Sequence, residues 1–359
     1  MYCGIQAAEM FIVASAPQVW GLEMSREVRY DSETIFWMKR TAGNTISGTF
    51  YTTIVTSFLL VCVLMLWGRV SHVHAQQAEK PVGSHKPVIV ASTTQIADFA
   101  RQIVGDRWHV VSILAPGADP HTYMPTPKDA QIAASADLTI ENGLHLEGKN
   151  WMATLAKDAG KPLITATEGL KPIVLEQGGE QINDPHAWFS PRNAAIYVNN
   201  ILRAVSRMDP DGAVEYSARA KLYLQELRVL DAWIREQFNQ VHPQQRILVT
   251  SHDAFNYFAK EYGFKNEAPI GWSTGAELGA GMTPDKLRQV MQSIKSRGVK
   301  ALFVESSVNP KLMREIASET GTKIGGQLYS DSMGEAGTAG ETYIGMMREN
   351  VLTIVTALH

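Results

Sequence analysis

Short apolar runs separated by stretches of helical period recur along most of the chain. The run Val88-Ile89-Val90-Ala91 leads into Ser92-Thr93-Thr94, which reads as a buried strand entering a helix N-cap, and a helix is predicted over 95–104. Further short runs at 110–114, 138–140 and 163–164 alternate with helical stretches at 128–134 and 151–159. A second series starts at Ile247-Leu248-Val249-Thr250. It continues through a helix at 287–294, a strand at 301–304, a helix at 313–320, a strand at 324–328 and a last helix at 342–357. Strand and helix alternating in this order imply parallel sheets with helices on both faces.

Residues 211–241, between the two series, have a different period. Tyr223, Leu227, Leu230, Ile234 and Phe238 return every third or fourth position with charged residues between them, the pattern of one amphipathic helix. Some thirty residues at helical rise span roughly 45 Å, more than one small lobe needs. The expected fold class is therefore α/β, with two lobes, each a parallel sheet flanked by helices, joined by one long rigid helix. The expected divisions are an N-terminal extension and signal peptide at 1–75, a linker at 76–86, an N-terminal lobe at 87–209, the connecting helix at 210–241 and a C-terminal lobe at 242–359.

Composition adds limits rather than detail. With 359 residues, 45% of them apolar and 19% charged, the chain can bury a large core, and a formal charge of −3 without a basic run argues against nucleic acid as a partner. The N-terminal region says more. Residues 54–67 (IVTSFLLVCVLMLW) are uncharged, follow Lys39-Arg40 at a distance and precede the small-residue pattern Val73-His74-Ala75, which reads as an export signal. The stretch is shorter than the roughly 20 residues of a full span, and an uncleaved anchor is the alternative. Met38 would make a better start than Met1, since nothing before it is signal-like. Cys3 and Cys62 both precede the expected cut, so the mature chain carries no disulfide, and the periplasm is the expected compartment.

Candidate chemistry lies in three histidines with similar settings, Asp119-Pro120-His121, Asp184-Pro185-His186 and Ser251-His252-Asp253, and in Asp331 of Tyr-Ser-Asp-Ser. Ligands of open α/β sheets bind beyond the carboxyl ends of strands. His121, His252 and Asp331 fit that position, while His186 falls in a loop before a helix near Pro191. Neutral imidazole is the commonest divalent-metal ligand, and Asp119, Asp184 and Asp253 are close enough in sequence to orient the rings or merely to cap turns. Taken singly, each histidine reads equally as a turn or surface residue. The repeated Asp-Pro-His, with Tyr123 and Trp188 two positions beyond, is what favours a metal site. His145 lies past a strand end and could stand near it, although a structural role is the plainer reading.

Longer motifs surround these residues: Pro-Gly-Ala-Asp-Pro-His-Thr-Tyr (116–123), Asn-Gly-Leu-His-Leu-Glu (142–147), Asp-Pro-His-Ala-Trp-Phe (184–189), Thr-Ser-His-Asp-Ala-Phe-Asn-Tyr-Phe (250–258), Val-Glu-Ser-Ser (304–307) and Tyr-Ser-Asp-Ser-Met-Gly-Glu-Ala-Gly-Thr (329–338). In their order and content they resemble the metal-binding solute-binding proteins of ABC importers, the zinc/manganese uptake A family, and within it the treponemal TroA-type branch. The resemblance runs from about residue 88 to the C-terminus.

That resemblance implies metal ligands at His121, His186, His252 and Asp331, with Glu305 and His145 as candidate residues around them. It implies one transported Zn²⁺ or Mn²⁺ per chain, with Fe²⁺ also admitted, and no enzymatic reaction. The partners implied are an inner-membrane permease and its cytoplasmic ATPase, with the receptor expected to be a monomer. A histidine at the third position, where streptococcal manganese binders carry glutamate, and a stretch 124–134 without histidine place the chain with mixed-metal relatives. Three imidazoles and a carboxylate suit tetrahedral Zn²⁺, while Mn²⁺ prefers more oxygen. The alternative from another class is a secreted zinc-dependent hydrolase using the same histidines, with Asp331 as general base; the absence of a His-Glu-x-x-His helix weighs against it. Glu305 could equally cap a helix, and the Gly-rich segment 334–340 is expected to let the Asp331 loop adjust.

Overall fold

Strand β1 (Val88–Ala91) is covered on both faces. Ile89 and Ala91 point into one apolar cluster and Val88 and Val90 into another, because alternate side chains of a strand leave opposite sides of the sheet. The computed structural model describes residues 86–177, 180–271, 273 and 283–359; the stretch 54–67, the expected cut and both cysteines lie outside them. β1 is central in a four-stranded parallel sheet of order β2 (His109–Ser112), β1, β3 (Leu138–Glu141), β4 (Leu163–Thr165). Helices α1 (Thr94–Val104), α2 (Pro127–Ala134) and α3 (Trp151–Asp158) make the connections. Thr93 caps α1 by accepting the Ile96 N–H at 3.4 Å, and Thr126 with Asp129 forms a capping box at α2, where Pro127 occupies the first turn.

One addition breaks the expected alternation. β5 (Val174–Gln177) and β6 (Glu180–Asn183) form an antiparallel pair, Val174 opposite Asn183. Their sequences, VLEQ and EQIN, are too polar to stand out as strands, and the cue is the Gly178-Gly179 between them. After α4 (Pro191–Met208) comes the long helix, α5 (Ala213–Phe238), of 26 residues. It spans about 39 Å and is shorter at both ends than the expected 211–241. Pro210–Gly212 form a separate 3-10 turn in which the Asp209 carboxylate accepts the Gly212 N–H at 3.3 Å, and a second such turn occupies Pro243–Gln245.

The second half contains two parallel pairs. β7 (Ile247–Val249) leads through α6 (Asn256–Tyr262) to β8 (Lys265–Glu267); α7 (Pro284–Arg297) precedes β9 (Ala301–Glu305), which α8 (Lys311–Thr320) links to β10 (Lys323–Leu328). Ala301 and Phe303 of β9 enter the large cluster shared with β1, while Leu302 and Val304 enter a smaller one with Val290, Ile294, Met313 and Ile316. The C-terminal helix α9 (Tyr343–Leu358) closes this half. The α5 stripe Tyr216, Ala220, Tyr223, Leu227, Leu230, Ile234 and Phe238 packs on α1 and α4 of the first half and on α6 and α9 of the second, so one continuous core crosses from sheet to sheet. Among the described residues no helix is long and apolar enough to cross a membrane.

Candidate metal centre

Four loops at the carboxyl ends of strands supply the site. His121 stands in the loop after β2, His186 two residues past the start of the loop that leaves β6, His252 in the turn after β7, and Asp331 in the turn after β10. All four are buried, at 3%, 0%, 0% and 1% exposure, and each offers one nitrogen or oxygen within 4.8 Å of the others. His186 Nε2 is the hub: it lies 3.2 Å from His121 Nε2, 3.3 Å from His252 Nε2 and 3.5 Å from Asp331 Oδ1. His252 Nε2 lies 3.4 Å from Asp331 Oδ2.

Neighbouring carboxylates decide where the imidazole protons sit. Asp184 Oδ1 is 2.8 Å from His186 Nδ1 and also accepts the His186 backbone N–H at 2.9 Å. A proton on Nδ1 leaves the Nε2 lone pair facing the cluster. Glu305 Oε2 is 2.6 Å from His252 Nδ1, and its Oε1 accepts the backbone N–H groups of Ser251 and His252 at 2.7 and 3.0 Å. Burial pushes the His121 pKa well below the usual histidine range, against the pull of Asp331. Burial acts the same way on His252, but the charges of Glu305 and then Asp331 outweigh it and hold that pKa well above the usual range. For Asp331 burial raises the pKa, yet His252 foremost, with His121 and His186, holds it well below the ordinary carboxylate range. Converging lone pairs beside an ionised carboxylate form a receptacle for a cation.

The Asn142-to-Gly148 turn, prominent in sequence, serves these loops from behind. Asn142 Nδ2 donates to Pro185 O at 3.0 Å, and Asn142 Oδ1 accepts from Tyr197 at 2.7 Å. Glu147, its carboxyl pushed up to about 7 by burial, accepts from Ser92 Oγ and the backbone N–H groups of Asn142 and Gly143. Gly148 has φ +47°, and a Cβ there would stand 2.3 Å from the His121 carbonyl oxygen. Gly148→Ala is therefore expected to displace His121 and weaken Zn²⁺ binding about 10- to 100-fold, the range typical of changes behind a metal ligand, as read by competition titration.

Several expectations need correction. His145 is exposed, with φ +66°, and the structure leaves it outside the buried cluster; Leu146 and Glu147 are the residues of that turn that face inward. Asp119 does accept the His121 backbone N–H at 2.9 Å. Asp253 pairs with Lys286 Nζ. Tyr123 packs on Trp151 and donates to Asp129, whereas Trp188 does meet its histidine edge-on, ring centres 5.4 Å from those of His186. The Gly-rich segment closes on itself through Gly334 N–H to Gly340 O at 2.8 Å. Sequence reading missed Ser307, whose hydroxyl donates to Asp331 Oδ2 at 3.2 Å, and Asn256, whose amide donates to Asp184 Oδ2 at 3.0 Å. Their only cue was membership of the longer motifs.

Residues 89–357 match the family model of the zinc-uptake complex component A, periplasmic. The chain belongs to this family. Zinc-uptake component A relatives include the zinc-binding protein TroA of Treponema pallidum, 34% identical over 306 residues (84% of this chain, 98% of that protein). The iron-binding protein YfeA of Yersinia pestis is 40% identical over 271 residues (74% and 84%), and the manganese-binding lipoprotein MntA of Bacillus subtilis 39% over 278 (75% and 89%). The solved structure of the periplasmic zinc-binding protein TroA superimposes with a TM-score of 0.71 at 32% identity, covering 76% of this chain and 99% of that one. Zinc-uptake component A proteins are substrate-binding components of metal importers, so the chain is a metal-transport protein. The hydrolase alternative has no support among these relatives.

Proposed function

We propose that this chain is the periplasmic receptor of the importer, and that it carries one divalent transition-metal ion on His121, His186, His252 and Asp331. The ion sits between a lobe at 87–209 and a lobe at 242–359 that the helix Ala213–Phe238 spaces apart, and the monomeric receptor hands it to a permease driven by a cytoplasmic ATPase. One observation carries the reading. A tetrahedral cation with bonds of 2.0–2.1 Å sets donor–donor edges of about 3.4 Å; His186 Nε2 stands 3.2 to 3.5 Å from His121 Nε2, His252 Nε2 and Asp331 Oδ1, and all four residues offer donors within 4.8 Å of one another. A hydrolytic zinc keeps one position open for water; here a buried carboxylate stands where that water would bind.

Three nitrogens and an oxygen favour Zn²⁺ in affinity. Both Asp331 oxygens turn toward imidazoles, Oδ1 toward His186 and Oδ2 toward His252, so the second carboxylate oxygen is on hand as the further oxygen donor that Mn²⁺ or Fe²⁺ prefers. The relatives named for zinc, manganese and iron fit a site that tolerates all three. Metal analysis of the refolded full chain is expected to give about one equivalent. Deleting the gene is expected to abolish uptake of the cargo metal, with growth restored by excess of that metal; undiminished uptake in the deletion strain would refute the receptor role.

A further inference from the structure

We infer that residues 330–333 form a clasp between the two halves, with Thr94, Gln95 and Ser332 as positioning residues that set how slowly the bound ion leaves. The inference rests on Asp331 being a ligand. Its carboxylate is held from its own half: Ser307 Oγ donates to Asp331 Oδ2 at 3.2 Å, and the Ser307 and Ser330 hydroxyls are 2.8 Å apart. The backbone on either side of Asp331 is instead bonded to the first half. Gln95 Nε2 donates to Ser330 O at 3.2 Å, and Thr94 Oγ1 accepts the Met333 N–H at 2.9 Å. Ser332 Oγ accepts the Gly117 N–H at 2.7 Å.

These bonds act as a unit. The Thr94 hydroxyl donates to Gln95 Oε1 at 3.1 Å, locking the pair at the start of α1, and Thr94, Gln95, Ser330, Ser332 and Met333 are all buried. Gly117 belongs to the same loop as His121, so the Ser332 bond ties the loop of one proposed donor to the loop of another. An ion enclosed by four buried donors leaves only when one loop steps back. The Asp331 loop cannot do so while its neighbours bond the opposite half, and it leaves buried donors and acceptors unpaired when they part. Freeing Asp331 and separating the halves are thus one event, which a docked permease can drive and thermal motion seldom does. None of the three clasp side chains is a proposed ligand, and their bonds hold the Asp331 loop in place, so the effect of the clasp falls on departure rather than capture.

The test is release of Zn²⁺ from the loaded full chain into excess chelator by stopped flow, with capture rates measured alongside. Thr94→Val and Ser332→Ala are each expected to speed release about fivefold, and the pair by less than the roughly 25-fold product because the bonds act as a unit, with capture within about twofold of the parent. Thr94→Ser keeps the acceptor oxygen and is expected to release at the parent rate. A merely structural role would lower melting temperature and the binding-competent fraction while the remaining sites release at the parent rate; that result, or capture slowed as much as release is speeded, overturns the clasp. Should Ser332→Ala fail to fold, the comparison of Thr94→Val with Thr94→Ser decides. Asp331→Ala run in parallel separates the two readings: stoichiometric tight binding by that variant refutes Asp331 as ligand whatever the clasp variants do.

Discussion

Asp331→Ala and His252→Ala are each expected to weaken Zn²⁺ binding by about 10²- to 10³-fold. Four-ligand zinc sites bind with apparent free energies of about 10–16 kcal/mol. An equal share per donor is about 2.5–4 kcal/mol, and each 1.4 kcal/mol is a factor of ten. Both residues are buried and face His186 Nε2 across the same small space, so no surface side chain can swing in to replace them. His252→Ala carries a second cost, since Glu305 Oε2 loses the imidazole 2.6 Å away and becomes an uncompensated buried carboxylate. The metal-free variant should therefore also melt lower than Asp331→Ala. Competition titration against a chromogenic chelator reads the affinities; retention of parent affinity by both variants would exclude the ligand set.

Affinity should also fall with acidity, by about tenfold per pH unit near neutrality. The sign follows from the individual groups. Glu305 and Asp331 hold the His252 pKa well above the ordinary range, so the metal-free site carries a proton there at pH 7 that the ion must displace. His121 is pushed the other way by burial, is neutral at pH 7 and yields its lone pair without releasing a proton. Asp331, held well below the carboxylate range, is ionised throughout and contributes nothing to the slope near neutrality. Release of the His252 proton as the ion binds at pH 7 is the result, measurable by calorimetry in buffers of different ionisation enthalpy. Binding that is unchanged between pH 7 and 5 would contradict coordination by these imidazoles.

Much of the fold was legible because apolar period maps directly onto burial. Val88-Ile89-Val90-Ala91 read as a two-faced strand and is one, and the inward stripe of α5 falls on the five residues named from period alone, with Tyr216 and Ala220 added. The ends of α5 were less legible, since Pro210 and Gly212 permit either a helical start or a separate turn, and the Asp209 cap decides between them. The β5–β6 pair escaped notice because a hairpin of polar strands has almost no hydrophobic signal. His145, for which a structural role is the plainer reading, turns outward where positive φ at positions 144 and 145 accompanies inward-facing Leu146 and Glu147.

The amino-acid sequence by itself determined which residues could form the centre: three histidines and one aspartate, each just after an apolar run or in a proline-marked turn, because donor chemistry and local turn propensity are properties of short segments. Tertiary structure decided what no segment contains. It brought His121, His186, His252 and Asp331 from four loops to within 4.8 Å of one another, set Asp184 behind His186 and Glu305 behind His252, paired Asp253 with Lys286, and stitched residues 330–333 to the opposite half. Those outcomes depend on how two sheets are set against one long helix through a shared core, and distances between residues remote in sequence follow from that packing alone.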